Sequence, residues 1–243
     1  MLSERNWKLD SVLRLALGIF FCLCVGTLLA ALVRGKVDPQ TPLSVAQIII
    51  SGLTFQGAAI VLTWRFLREN QSTWLTGFGL QTRPIKAVSL GVLACIVFLP
   101  AGWGLQIVSI QVMHFLGIEA SVQPTLLAMR NSGSTAQLAA LGVVVILLAP
   151  LAEELLFRGI LYPSLKRTGY PQIALWATSS LFALIHFNLA AFLPLLLLAL
   201  TLTWLYEETD NLVAPITAHV VFNAINFGRF LIDNSSYKFP GQS

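Results

Sequence analysis

Long, uninterrupted apolar runs dominate the chain. Residues 15–33 contain no charged side chain, and neither do residues 187–206. A helix needs about 20 such residues to cross the hydrocarbon core of a bilayer. Strands of a transmembrane barrel would instead alternate apolar and polar residues over about ten positions. The pattern therefore predicts membrane-spanning helices.

Similar runs recur along the whole chain, separated by polar connections rich in helix breakers. The third run is long and contains Pro100, so it is either one kinked helix or two shorter ones. We therefore predict an all-α fold, a polytopic transmembrane helical bundle of seven or eight spans, with residues 1–243 forming a single domain. The first span is too long for the apolar part of a signal peptide and is expected to be a retained anchor. The predicted spans are 15–33, 45–64, 87–115, 136–165, 172–187, 189–206 and 212–232.

Composition supports this interpretation. Of the 243 residues, 56% are hydrophobic and 11% charged, and the mean hydropathy is +0.77. A soluble domain has about 25% charged residues. Intrinsic disorder, collagen and small disulfide scaffolds are excluded on the same grounds. The net charge of +4 comes from basic residues that flank the apolar runs. They indicate contact with the lipid bilayer, and nucleic acid is not an expected partner.

The distribution of basic residues predicts an orientation. We assign each Lys or Arg outside the spans to the side of the membrane on which its loop or chain end is predicted to lie. Nine basic residues then lie on the side of the N-terminus and five on the other side, which places the N-terminus in the cytoplasm. A compact chain of this kind is typical of a bacterial cytoplasmic membrane. The nine are Arg5, Lys8, Arg14, Arg65, Arg68, Arg83, Lys86, Lys166 and Arg167, and the five are Arg34, Lys36, Arg130, Arg229 and Lys238.

A small set of polar side chains lies inside the predicted spans, all of it in the C-terminal half. An ionised residue at the middle of a membrane helix costs about 2.5–3.5 kcal/mol on insertion scales, so such residues are functional hypotheses by default. The set comprises Glu153, Glu154 and Arg158 in the fourth span, His186 in the fifth, and His219 with Asn223 in the last.

Helical spacing sorts these residues into groups. Glu154 and Arg158 are four positions apart on one helical face, where they can form an ion pair. Glu153 is five positions from Arg158 and points elsewhere, so its carboxylate is available to other partners. His219 and Asn223 are again four apart and project to the same side of their helix.

Sequence distance from the turn at residues 168–171 predicts a shared depth. Glu153 and His186 are equidistant from its centre, about 20 Å along their helices. The last span brings His219 and Asn223 to about 12–18 Å from the same side. Four polar groups on three helices are thus expected to converge near mid-membrane. Pro150, just before Glu153, would free backbone carbonyls there, as expected for a helix opened beside a cavity.

Three motifs carry a resemblance to a known family. The segment from Glu153 to Arg158 resembles the EExxxR motif of the CAAX protease and bacteriocin-processing family, also called CPBP or Abi. Phe182 to His186 is similar to its FxxxH motif, and His219 to Asn223 to its HxxxN motif. They occur in the family's order, each on its own span, and place the motif-bearing core at about residues 136–232.

The resemblance implies an intramembrane endopeptidase related to CAAX prenyl proteases, which needs no cofactor and acts on a membrane-associated peptide or protein. Glu153 and His186 would activate the attacking water. His219 and Asn223 would donate to the tetrahedral oxyanion. Glu154 and Arg158 would support the site structurally.

Two alternatives remain open at this stage. Glu153, His186 and His219 could instead hold a catalytic zinc ion with water as the fourth ligand, although HExxH is absent and Asn223 suits a donor better. The second alternative is a non-catalytic membrane protein, such as a bacteriocin immunity factor or an adaptor. A transporter is disfavoured because the polar groups are confined to one half of the chain.

Overall fold

The computed structural model describes residues 5–34, 44–119, 124–130 and 132–234. Every regular element in these ranges is a helix, and the all-α prediction is confirmed. Nine helices are described, in the order α1 (Leu9–Arg34), α2 (Val45–Glu69), α3 (Trp74–Gly77), α4 (Pro84–Phe115), α5 (Pro124–Arg130), α6 (Thr135–Lys166), α7 (Pro171–Leu184), α8 (Leu189–Thr209) and α9 (Val213–Asn234).

Seven of these helices correspond to the seven predicted spans. Because α4 runs unbroken through Pro100, the third apolar run is one helix. Among the described residues, α1, α2, α4, α6 and α8 are long and apolar enough to cross a membrane. Helix α7 has 14 residues and is only about 21 Å long. Helix α9 has 22 residues, but polar side chains, His219 and Asn223 among them, lower its hydropathy.

Helix α6 is irregular, and two prolines explain where. Its π-helical stretch Val144–Leu148 ends with Ala149 N–H bonded to the carbonyl of Val144. The next bond in that pattern would need an N–H on Pro150, which proline lacks. The second π-helical stretch, Leu155–Leu161, ends with Tyr162 N–H bonded to the carbonyl of Phe157, directly before Pro163. Such π-helical turns occur frequently at functional sites.

The helices pack as an outer pair against an inner group. Helices α1 and α2 pack on each other, and α2 also contacts α6. Helix α4 packs against α8 and α9, while α7 packs against α8 and the C-terminal end of α6. The largest buried cluster includes Phe98, Phe182 and Leu202 and lies among α4, α7 and α8. The predicted polar residues lie beside this cluster, on α6, α9 and the end of α7.

Candidate active site

An ion pair between Glu154 and Arg158 anchors the site. Arg158 Nη1 lies 2.8 Å from Glu154 Oε1, as the four-residue spacing predicts. Both side chains are buried, 0% and 2% exposed respectively. Two further donors of Arg158 bond to α8: Nη2 donates to the Ala199 carbonyl at 3.0 Å, and Nε to Thr203 Oγ1 at 3.4 Å. The guanidinium is therefore fixed from three directions.

Glu154 also holds His219, a contact that the sequence did not predict. His219 Nδ1 lies 2.8 Å from Glu154 Oε1. Because an ionised carboxylate only accepts hydrogen bonds, Nδ1 carries the proton. The other ring nitrogen, Nε2, then faces Glu153, with 3.7 Å between Nε2 and Oε2. The pair Glu154–His219 thus fixes the imidazole ring and directs Nε2 toward Glu153.

His186 is oriented by the end of its own helix. Its backbone N–H bonds to the carbonyl of Ala183 at 3.4 Å, which leaves the carbonyl of Phe182 available. His186 Nδ1 donates to that carbonyl at 2.7 Å. Since a carbonyl only accepts, Nδ1 carries the proton, and Nε2 of the neutral ring keeps a lone pair. The half-buried His186 therefore presents a proton acceptor.

The ring of Phe182 links the two histidines. Its centroid lies 4.9 Å from the His186 ring and 5.8 Å from the His219 ring. The Arg158 guanidinium stacks over the same ring, with its carbon 4.6 Å from the centroid. Phe182 is fully buried. The aromatic position of the FxxxH motif therefore holds residues of three helices in place.

Asn223 bonds to the carbonyl that Pro150 leaves free. Its Nδ2 donates to the Val145 carbonyl at 2.8 Å, the group that would have accepted an N–H from position 150 in the π-helical pattern. The carboxamide has a second N–H on Nδ2, which is available to another acceptor. The prediction that Pro150 frees a backbone carbonyl is thus met at Val145.

Exposure divides the predicted residues into two groups. The side chains of Glu154, Arg158 and His219 are at most 4% exposed, whereas that of Glu153 is 17% exposed. His186 and Asn223 are also half-buried.

Direct contacts join Glu153, Glu154, Arg158 and His219, and His186 joins them through Phe182. No hydrogen bond links Glu153 to His186 in the described residues. Of the four residues to which the resemblance assigns chemistry, Glu153, His186 and Asn223 are partly accessible and His219 is buried.

The zinc alternative finds no ligand cluster in this arrangement. Among the described residues, no three His, Cys, Asp or Glu side chains are placed to hold a metal ion. Nδ1 of His186 and of His219 is bonded to a protein acceptor, which leaves Nε2 of each ring for another partner and does not itself decide against a metal.

Several functional contacts lay outside what the sequence predicted. Thr203 and the Ala199 carbonyl are unremarkable in an apolar span, and no spacing rule connects them to Arg158. The bond from Glu154 to His219 joins two helices whose relative rotation the sequence does not define. The prolines at 150 and 163 did carry a signal, because each predicts an acceptor without a backbone donor.

The fold and the site define a polytopic helical membrane protein with a buried Glu–Arg–His network. Comparison with known families agrees: residues 135–225, which contain all three motifs, match the family model described as type II CAAX prenyl endopeptidase Rce1-like. This part of the chain is therefore similar to the Rce1-like family, and the family resemblance carried by the motifs is confirmed.

Curated relatives match over part of their length. An uncharacterized protein of Bacillus subtilis (strain 168), YpbD, is 36% identical over 83 residues, which is 32% of this chain and 40% of that protein. A UPF0177 protein of Lactococcus lactis subsp. lactis (strain IL1403), YxdF, is 34% identical over 84 residues, which is 34% of this chain and 44% of that protein. The chain thus spans less than half the length of these relatives. No solved structure matches it significantly.

Proposed function

We propose that this protein is an intramembrane endopeptidase that hydrolyses a peptide bond in a membrane-associated substrate. The main support is the placement of the partly exposed Glu153 carboxylate 3.7 Å from Nε2 of His219. The other charges of the network, Glu154 and Arg158, are buried and paired with each other. The match to the Rce1-like family supports the same activity.

In the proposed reaction, Glu153 and His186 activate a water molecule. The Glu153 carboxylate takes the proton, and the lone pair on His186 Nε2 accepts a second hydrogen bond that orients the water. The oxygen forms a bond to the scissile carbonyl carbon, which becomes tetrahedral. Glu153 then returns the proton to the leaving amine as the carbon–nitrogen bond breaks. Every proton is accounted for by this chain's own side chains and water.

Two donors stabilise the oxyanion in this proposal. Asn223 contributes the second N–H of Nδ2, and its bond to the Val145 carbonyl orients the amide. His219 contributes Nε2–H in its imidazolium form, which the carboxylates of Glu153 and Glu154 stabilise. Glu154 has the role that an acidic residue has beside a catalytic histidine, because it fixes the ring through Nδ1. Arg158 keeps Glu154 in place.

The substrate class follows from where the site lies. The partly exposed Glu153 lies on α6, which is long and apolar enough to cross a membrane, so we expect a peptide or protein embedded in the lipid bilayer to reach it without crossing water. We propose the bacterial cytoplasmic membrane as the location, with the N-terminus in the cytoplasm. Its support is that Lys8 N–H donates to Asn70 Oδ1 at 2.8 Å and Arg167 Nη1 donates to the Trp7 carbonyl at 3.2 Å. The basic ends of α2 and α6 therefore lie at the end where the N-terminal segment lies.

The decisive experiment compares cleavage by Glu153→Gln and by wild type in proteoliposomes, with prenylated CAAX peptides, leader peptides and small membrane proteins as candidate substrates. We expect kcat to fall at least 100-fold, in the range for loss of a general base, with the thermal unfolding midpoint unchanged. The matched control, Glu69→Gln, removes a partly exposed, paired carboxylate at the end of α2, outside the site, and should leave kcat unaltered.

Other outcomes separate the alternatives. Full activity in both Glu153→Gln and His186→Ala would contradict the proposed roles, and so would complete loss on Glu154→Gln alone with normal folding. A loss of cleavage on chelation, restored by zinc, would favour the zinc-dependent peptidase. Absence of cleavage by wild type on all three substrate classes would favour an immunity or adaptor role.

A further inference from the structure

The N-terminal segment reaches the site helix through one buried tryptophan. Trp7 Nε1–H donates to the carbonyl of Gly159 at 3.0 Å, across 152 positions of sequence. The Trp7 side chain is buried and packs edge-on against Phe66, with 5.1 Å between ring centroids. This hydrogen bond joins the segment before α1 to the second π-helical stretch of α6.

Pro163 explains why this carbonyl needs a donor. In an α-helix the carbonyl of Gly159 would accept the N–H of residue 163, and proline has none. At Pro150 the bond is missing at the π-helical spacing of five residues, and there Asn223 supplies the N–H that Val145 lacks. Each proline in α6 thus leaves a carbonyl that a side-chain donor from another part of the chain occupies. One of these two donors is already assigned to the site.

The position of Gly159 gives the bond its importance. It directly follows Arg158, inside the stretch Leu155–Leu161 whose winding sets the direction of the Arg158 side chain toward Glu154. The donor itself is held firmly, because Arg5 Nη2 pairs with Asp210 Oδ1 at 2.6 Å and Arg167 Nη1 donates to the Trp7 carbonyl. The Gly159 carbonyl is therefore fixed from outside its own helix.

We propose that Trp7 is a positioning residue of the peptidase: its indole N–H supplies the donor that Pro163 cannot give to the Gly159 carbonyl, at the end of the stretch Leu155–Leu161, and so aligns Arg158, Glu154 and Glu153. This inference rests on the proposed function. Trp7 does not touch substrate and acts through α6. Its loss therefore lowers the rate of the chemical step and leaves substrate binding unchanged.

The first test is kinetic and uses the full chain in proteoliposomes. Trp7→Phe keeps an aromatic ring and removes the N–H, and kcat should fall about tenfold, the effect of losing one buried hydrogen bond, with KM unchanged. The matched control is Trp74→Phe. Trp74 also packs against Phe78, at 5.7 Å between ring centroids, and its substitution should leave kcat unaltered.

The second test is rescue. Combining Pro163→Ala with Trp7→Phe supplies a backbone N–H at position 163, which can bond to the Gly159 carbonyl. The double variant should recover kcat to within about twofold of wild type, because a backbone donor replaces the indole. If it is as slow as Trp7→Phe alone, or if Trp74→Phe is equally slow, Trp7 acts through packing and the inference is wrong.

A readout independent of cleavage keeps this inference separate from the proposed function. In protein labelled with 15N at the indole nitrogens, the chain's six tryptophans give six N–H signals, and the one missing in Trp7→Phe belongs to Trp7. We expect it to exchange with solvent deuterium at least 100-fold more slowly than the indole N–H of Trp74, which lies on the short helix α3 and is half-buried. Equal exchange would overturn the inference. Retained cleavage in Glu153→Gln would instead overturn the proposed function and leave this result standing.

Discussion

Two ion pairs with the same helical spacing show what burial adds. Arg65 and Glu69 on α2 are four residues apart, and Nε of Arg65 lies 3.2 Å from Oε1 of Glu69. Their side chains are 70% and 26% exposed. Glu154 and Arg158 on α6 are also four apart, at 2.8 Å, and are almost completely buried. Water can satisfy the unused donors and acceptors of the first pair. The second pair depends on protein partners, and those partners are His219, Thr203 and the Ala199 carbonyl.

The same contrast extends to the two halves of the molecule. We compare the most apolar 18-residue segment of each helix. In α1 and α2, 11% and 22% of these residues are buried, whereas in α6 and α8 the buried share is 44% and 50%. Large side chains such as Phe20 and Phe21 of α1 remain 64% and 68% exposed, as expected for a helix that faces lipid. The outer helices expose more of their apolar side chains, whereas the inner ones bury more residues and carry the polar network, whose groups must be satisfied internally.

The largest expected difference comes from breaking each ion pair. Arg158→Leu leaves the buried Glu154 carboxylate without its main partner, and we expect it to lower the free energy of unfolding by about 3–5 kcal/mol. Arg65→Leu, the matched substitution in the exposed pair, should leave it unchanged. Denaturant titration in detergent micelles measures both. A large effect of Arg65→Leu would contradict the contrast drawn from burial.

Two glycines with equal backbone angles test the contrast again. Gly79 and Gly117 have φ of +68° and +70°, so alanine at either costs about 1–2 kcal/mol in backbone strain. A Cβ on Gly79 would also lie 1.8 Å from the backbone oxygen of Asp210, whereas nothing lies within 4 Å at Gly117. Gly79→Ala should therefore cost a further 1–3 kcal/mol or so for overpacking. If Gly79→Ala and Gly117→Ala had equal thermal unfolding midpoints, the backbone around Asp210 at the end of α8 would have moved to accommodate the added Cβ without measurable cost.

The smallest predicted effect separates two asparagines of α9. Asn223→Ala leaves the Val145 carbonyl without a donor and should cost about 1–3 kcal/mol. The amide of Asn226 donates to the Phe222 carbonyl of its own helix at 2.9 Å and accepts a longer bond from Trp103 Nε1 at 3.3 Å. Because neither bond is fully buried, Asn226→Ala should cost about 0.5–1.5 kcal/mol. Thermal unfolding midpoints measure both costs. Adding Pro150→Ala supplies a backbone N–H near Val145, so it should reduce the cost of Asn223→Ala and leave the cost of Asn226→Ala unchanged.

Sequence reasoning located the spans well because continuous apolar runs and breakers act locally. The predicted span 45–64 and the helix Val45–Glu69 begin at the same residue, where Ser44 and Gln47 form a capping box. The Glu154–Arg158 pair was equally predictable, since both residues lie on one helix. The four-residue α3 and the seven-residue α5 were not predicted, because segments this short carry too little periodicity.

Contacts between helices were beyond the same reasoning. Helical spacing gives the face on which His219 and Asn223 lie, but their partners, Glu154 and the Val145 carbonyl, depend on how α6 and α9 are rotated against each other. The prolines predict acceptors without donors, yet nothing local indicates that Trp7, 152 positions before Gly159, would be one donor. Roles in catalysis stay predictions until the cleavage experiments are done.

The two proline-freed carbonyls of α6 also set an order for biosynthesis. When α6 enters the bilayer from the ribosome, Trp7 has already been synthesised, and Gly159 can receive its donor at once. Asn223 emerges 78 residues after Val145, so that carbonyl waits in hydrocarbon, at a cost of several kcal/mol, until α9 arrives. Helix α9, the last in the described part of the chain, is thus the one whose arrival completes the hydrogen bonding of the helix that carries both glutamates.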